Sequence, residues 1–243
     1  TSDIIDVGIQ NNGVEHVVPD KMTADEFDTA QFIMTDKETN TWKDIYEKED
    51  DLYELKDLSN KELNDIDEEF TIPLIMNYQM RAMEVDTFKE TIAKQMGKDV
   101  SAFADMSVED IGAMMHVDLK SFKQEKEDDD GNKVKVDCVD VRPIFANMLA
   151  SGAMDKDQIL SMRDTMEDTI DTMGSSLVKS MGIAYAVAAD KDAGVNVDKI
   201  QKSYLLSAGL KMVGMALLMG LVTVLVGFFA SRWFFKRQLQ KNP

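Results

Sequence analysis

Apolar residues recur along most of this chain at helical spacing, and the starts of several helices are written in side-chain chemistry. Thr23 with Glu26, and Ser59 with Glu62, read as capping boxes: the hydroxyl and the carboxylate three residues later satisfy amides that the first turn leaves free. The first predicts a helix to about Met34 and the second a helix through Glu69. Pro73 suits a first helical turn and predicts a separate helix to about Met83. Phe88, Ile92 and Met96 share one face of the next helix, which Gly97 ends, and Ser107 with Asp110 caps Val108–Met115.

The period then changes. Val134, Val136 and Cys138 alternate with Lys135 and Asp137; with Leu119–Lys126 ahead of an Asp-Asp-Asp-Gly-Asn run, they predict a β-hairpin turning at Asp130–Asn132. After Pro143 helical spacing returns. Ile159, Met162, Met166, Ile170, Met173, Leu177 and Met181 follow at spacings 3, 4, 4, 3, 4 and 4, one stripe on one long helix eased at Gly174 and ended by Gly194–Asn196. At the other end, Thr1–Gly13 starts apolar and closes on a helix-stopping Asn-Asn-Gly, with Pro19 in an extended linker beyond. The expectation is mainly α: about seven helices, one small β-hairpin and no internal repeat.

One stretch changes the picture. Met212–Ser231 is twenty residues without a charge, and as a helix it is about 30 Å long, the thickness of a bilayer's hydrocarbon core. A last helix begins near Val197 and runs into it, so residues 197–235 are read as leading into and forming a transmembrane span with its core at 212–231, and 236–243 as a basic tail. Ala216, Gly220, Thr223, Gly227 and Ser231 line one face of that span, small residues that let a second membrane helix approach closely.

Charge gives the span a direction. The four bases after Met212 leave 23 of the 27 for residues 1–211, against all 45 acids, a net of −22. The positive-inside rule places the tail from Arg232 to Lys241 in the cytoplasm and the preceding ~200 residues outside. A tail-anchored arrangement is the reverse and would export the bases. Acidity of this size argues against nucleic acid as a partner. The chain opens at Thr1 with no basic n-region and no apolar h-region, so either a signal has been removed or the sequence is an excerpt of a longer polytopic protein, the second being favoured. Cys138 is the single cysteine, so no internal disulfide forms and a core must hold the domain.

Candidate chemistry is sparse. Asp128, Asp130, Gly131 and Asp137 imitate part of a calcium loop, but Lys126 stands where its first carboxylate belongs and no helix follows; an acidic hairpin tip accounts for them better. Asp190, Asp192, Asn196 and Asp198 form a second oxygen-rich loop of the same standing. Met80 with Met83, and Met162 with Met166, have spacings that soft copper(I) sites use, yet they lie on apolar helical faces where methionine fills gaps. His16 and His116 have no ligand at helical spacing, and no G-x-x-x-x-G-K-[ST] run exists. No catalytic residue, cofactor-binding residue or metal ligand is assigned.

The two ends carry a resemblance. TSDIIDVGIQNNGV resembles the outer end of the first transmembrane helix of bacterial ABC exporters of the multidrug type, especially half-transporters of Gram-positive anaerobes. DKIQKSYLLSAGLKMVGMALLMGLVTVLVGFFASR resembles the entry into their second transmembrane helix. Some members carry a long acidic helical insert between those helices, and MTADEFDTAQFIMTD and IPLIMNYQM are similar to such inserts. After Arg232 the chain reads WFFKRQLQKNP, where the family continues with a Gly-Arg-Asp-Leu-type stretch.

The resemblance implies a division of the chain. Residues 1–14 would be the outer end of the first membrane helix, 15–196 an extracytoplasmic insert, and the remainder the second membrane helix with its cytoplasmic tail. It also implies a cell-membrane exporter driven by ATP and magnesium bound in a nucleotide-binding domain that this chain lacks. That exporter would pair with a second half-transporter, as a heterodimer, to move an unknown multidrug, lipid or peptide substrate. In it this chain has a non-catalytic gating or docking role. The competing expectation is a single-pass surface protein whose acidic domain binds an external ligand.

Overall fold

Hydroxyl caps set the starts expected at Thr23, Ser59 and Ser107; the Ser107 helix has its expected extent, while the other two differ in length. The computed structural model describes residues 14–127, 132–170 and 172–195. Helix α1 (Ala24–Thr29) begins where the Thr23 hydroxyl accepts the Glu26 N–H. The Glu26 carboxylate does not complete a capping box, because it turns into the core to meet Arg142, and the chain tightens into a 3-10 turn at Ala30–Ile33. Helix α2 (Asp36–Ile45) has a full capping box at Thr35 and Glu38 that the sequence reading passed over.

Helix α3 (Asn60–Arg81) starts at the Ser59–Glu62 box and runs straight through Pro73. Two expected helices are therefore one. An interior proline costs about 3 kcal/mol, but Phe70, Leu74, Ile75 and Met76 around it are fully buried, and each such side chain contributes about 1.5–3 kcal/mol. Helix α4 (Val85–Gln95) stops at Gly97, whose φ of +61° is cheap only for glycine. Helix α5 (Val108–Met114) opens on the Ser107–Asp110 box, and α6 (Arg142–Ala150) has its proline in the first turn.

The long helix expected over the methionine stripe is two helices, α7 (Lys156–Ile170) and α8 (Ser175–Asp192), with Gly174 extended as the cap of the second. The stripe survives the break. Ile159, Met162, Met166, Ile170 and Met181 all enter one core cluster, with Met173 and Leu177 packed against it.

The single expected hairpin is corrected to two three-stranded sheets. Strands β1 (Lys21–Thr23), β2 (Tyr46–Glu49) and β3 (Leu52–Leu55) form an antiparallel sheet in the order β1-β3-β2. The tight β2–β3 connection puts Asp50 at φ +53°. Strand β4 (Met83–Glu84) then joins the expected hairpin of β5 (Ser121–Glu127) and β6 (Lys133–Val139), in the order β4-β6-β5 with Ser121 opposite Val139. The first sheet was hidden because its strands are three or four residues long, too short to show alternation.

Two apolar clusters share α3. Ile75, Met76 and Met80 point to one cluster with Phe88, Phe145 and the methionine stripe; Phe70 and Leu74 point to the other with Phe27, Trp42 and Tyr185. Phe27 stacks on Tyr53 at 3.7 Å between ring centroids. Helix α8 lies along α3, and at Gly182 the arm before β1 comes so close that a Cβ would stand 2.7 Å from Val17 Cγ1. Among the described residues no helix is long and apolar enough to cross a membrane. The expected span, its face at Ala216, Gly220, Thr223, Gly227 and Ser231, and the segment Thr1–Gly13 all lie outside the described residues.

Candidate functional site

The most extensive polar constellation in the described interior is built on Glu26. The start of α1 aims this carboxylate at α6 and α8, where Arg142 grips it with Nη1 at 2.7 Å and Nη2 at 2.9 Å, and the Tyr185 hydroxyl donates at 2.8 Å. Arg81 of α3 stands 3.9 Å away and also pairs with Asp192. Arg142 binds Asp140 as well, through Nε at 3.0 Å and Nη2 at 2.8 Å, and donates to Asn77 Oδ1 at 3.2 Å. The Asn77 amide in turn donates to the carbonyls of Ala30 and Pro73.

Burial alone would raise the Glu26 carboxyl, but the hydrogen bonds and charge of Arg142, with Arg81 and the Tyr185 hydroxyl, hold it at about 2. Burial pushes the Tyr185 phenol well above its ordinary range, with the Glu26 charge adding to it. Glu26 therefore stays ionised, Tyr185 stays neutral, and Arg142 is committed to three partners. The arrangement bolts α1, α3, α6 and α8 together.

A second bolt joins α2 to α7, with Arg163 bidentate on Glu38 at 2.6 Å through each nitrogen. Beside it Lys156 donates to the carbonyls of Gln31 and Phe32 at 3.2 and 2.6 Å, tying α7 to the 3-10 turn. A third set fastens the arm from Val14 to Thr23. Asp67 of α3 accepts the Val17 N–H at 2.8 Å and pairs with His16 and Lys179 at 2.9 and 2.8 Å. The Tyr46 hydroxyl donates to the Pro19 carbonyl at 2.7 Å, and Asp190 accepts the Lys21 N–H at 2.8 Å. A shallow depression of about 420 Å³ lies over Phe32, Pro143 and Ala146 with Asp28 at its rim, and the Arg142 that lines it is already paired.

Of the acidic residues singled out in the sequence, the described ones have separate partners. Asp190 faces the arm while Asp192 faces Arg81, and Asp137 sits on β6 paired with Lys123 at 2.9 Å. Asp128, Asp130, Gly131, Asn196 and Asp198 lie outside the described residues. No group of carboxylates, histidines and cysteines among the described residues could hold a metal ion. Met80, Met162 and Met166 are core residues and Met83 packs against them. His16 is engaged with Asp67, whereas His116 closes α5 at φ +58°.

Sequence reasoning missed Glu26, Arg142 and Asp67 as interior charges. The signal available was a charge set inside an apolar run, such as Arg142 between Val141 and Pro143-Ile144-Phe145, and that pattern names no partner. Comparison with family models, curated proteins and solved structures gave no match.

Proposed function

We propose that the described domain is the extracytoplasmic insert of an ATP-driven ABC exporter of the multidrug type, continuous with a membrane helix at Met212–Ser231. One observation carries the reading beyond the likeness of the ends: the first described segment and the last described helix are fastened together. The arm from Val14 to Thr23 lies along α8 through Val17 at Gly182 and Lys21 at Asp190. A domain inserted between consecutive membrane helices has its entering and leaving strands held in one region in this way. Interior charge pairs such as Glu26–Arg142 and Glu38–Arg163 brace the helices, which suits a gating or docking role.

ATP and magnesium belong, on this reading, to a nucleotide-binding domain elsewhere in the transporter, because this chain has no phosphate-binding loop. The partner is a second half-transporter, giving a heterodimer in the cell membrane. The test has two arms. A cysteine at the exposed Ser121 should react with a membrane-impermeant thiol reagent on intact cells, one at Asn242 should not, and the native Cys138 is silent because it is buried. Reversed labelling refutes the orientation. The reading frame around this segment decides the family: a Walker A motif downstream in frame supports it, and a signal peptide directly before Thr1 with a stop after Pro243 refutes it.

A further inference from the structure

Among the described residues, Asp190 is the buried carboxyl that has no ion pair with a cation. It is 2% exposed, sits in the last turn of α8, and accepts the backbone N–H of Lys21 at 2.8 Å with the Asp20 N–H also in reach. Among the described residues, the groups around it offer no compensating positive charge. From the arm, Asp20 contributes a like charge, and the Lys21 ammonium is drawn away to Glu54. From β2 comes the Tyr46 phenol, which burial and the nearby Tyr185, Asp190 and Asp20 hold neutral. On α8 itself Asp192 is turned to Arg81 of α3, and no ion pair joins Lys191 to Asp190 among the described residues. A buried ionised carboxylate held only by backbone amides beside a second acid is costly, whereas the neutral acid keeps the same amide contact without that cost.

We propose that Asp190 is a proton-operated clasp: neutral, it holds the arm at Asp20–Thr23 against the end of α8, and ionised, it loosens that hold. Burial first, and then the Asp20 charge, push the carboxyl up from 3.8 to about 7, with the two backbone amides pulling the other way. The sign follows directly. A carboxyl raised in the closed form makes closure strongest at low pH, and closure weakens as pH climbs from the ordinary value toward the raised one and is level above it. An open arm returns the group to its ordinary value. The arm's opening equilibrium should then rise on the order of a hundredfold between pH 5 and pH 8 and change little above pH 8. The clasp joins the arm to the last turn of α8, so proton activity around the domain would set how firmly those two segments are joined. It stands on this geometry alone and does not require the exporter reading.

Amide hydrogen exchange on the full chain in detergent micelles tests it. Protection factors at Lys21 and Met22, corrected for intrinsic exchange, should fall at least tenfold from pH 5 to pH 8, while those of α3 stay level. Asp190→Asn should remove the dependence and leave the arm more protected than wild type at pH 8. Asp20→Asn, which removes the like charge without touching the buried site, should move the plateau to lower pH. Protection that does not change with pH, or a dependence that survives in Asp190→Asn, overturns the proposal. If Asp190→Asn fails to fold, an unmoved plateau in Asp20→Asn overturns it equally.

Discussion

Replacing Arg142 by methionine would remove the guanidinium from the central bolt while filling most of its volume. Glu26, 7% exposed, would then keep the Tyr185 hydroxyl and a distant Arg81 as its only compensation. Leaving one partner of a buried ion pair behind costs about 3–5 kcal/mol. The carboxyl is held at about 2 against an ordinary 4.5 by Arg142 together with Arg81 and the Tyr185 hydroxyl, against the opposing effect of burial. At about 1.36 kcal/mol per pH unit the whole set of partners makes the ionised carboxylate worth roughly 3 kcal/mol to the folded state. That contribution is fully present above the ordinary value near 4.5 and is lost as pH falls through 2. Glu26→Gln, which leaves Arg142 its Asp140 partner, should cost about 2–3 kcal/mol. The double variant should cost at least about 2 kcal/mol less than the two singles added, because each single already breaks the shared contact. Urea unfolding of the full chain in detergent, followed by Trp42 fluorescence in a Trp233→Phe background, measures all four proteins. Additivity within about 0.5 kcal/mol, or an Arg142→Met cost under about 1 kcal/mol, would refute the claim that this pair fastens the helices to one another.

Gly182→Ala places a methyl 2.7 Å from Val17 Cγ1 and 3.2 Å from its Cβ, so despite better helix propensity it should destabilise by about 1–3 kcal/mol and speed proteolysis within residues 14–23; unchanged cleavage would show that the arm is not seated on α8. Millimolar calcium should raise the melting temperature no more than magnesium does, because Asp190 and Asp192 face different partners. A calcium-specific rise lost in Asp192→Asn would overturn that account.

Most of the helical character was legible in the chain because its signals are local. The hydroxyl–carboxylate pairs at Ser59 and Ser107 act across three residues, and the stripe from Ile159 to Met181 needs only its own period, so both survive in the structure. The hairpin of β5 and β6 was legible for the same reason, alternation over seven residues a strand. The same local logic misread Pro73 as a start and the stripe as one helix. Whether a proline is tolerated, or a helix breaks at Gly174, depends on burial contributed by other elements. What only the tertiary structure decided is the set of bolts. Glu26 and Arg142 are 116 residues apart and Lys21 and Asp190 are 169 apart, and no spacing rule reaches so far. In the sequence those residues are surface-type charges among many others. Folding buries them, and burial is what turns a charge into a partner that must be found, or into a proton that must be kept.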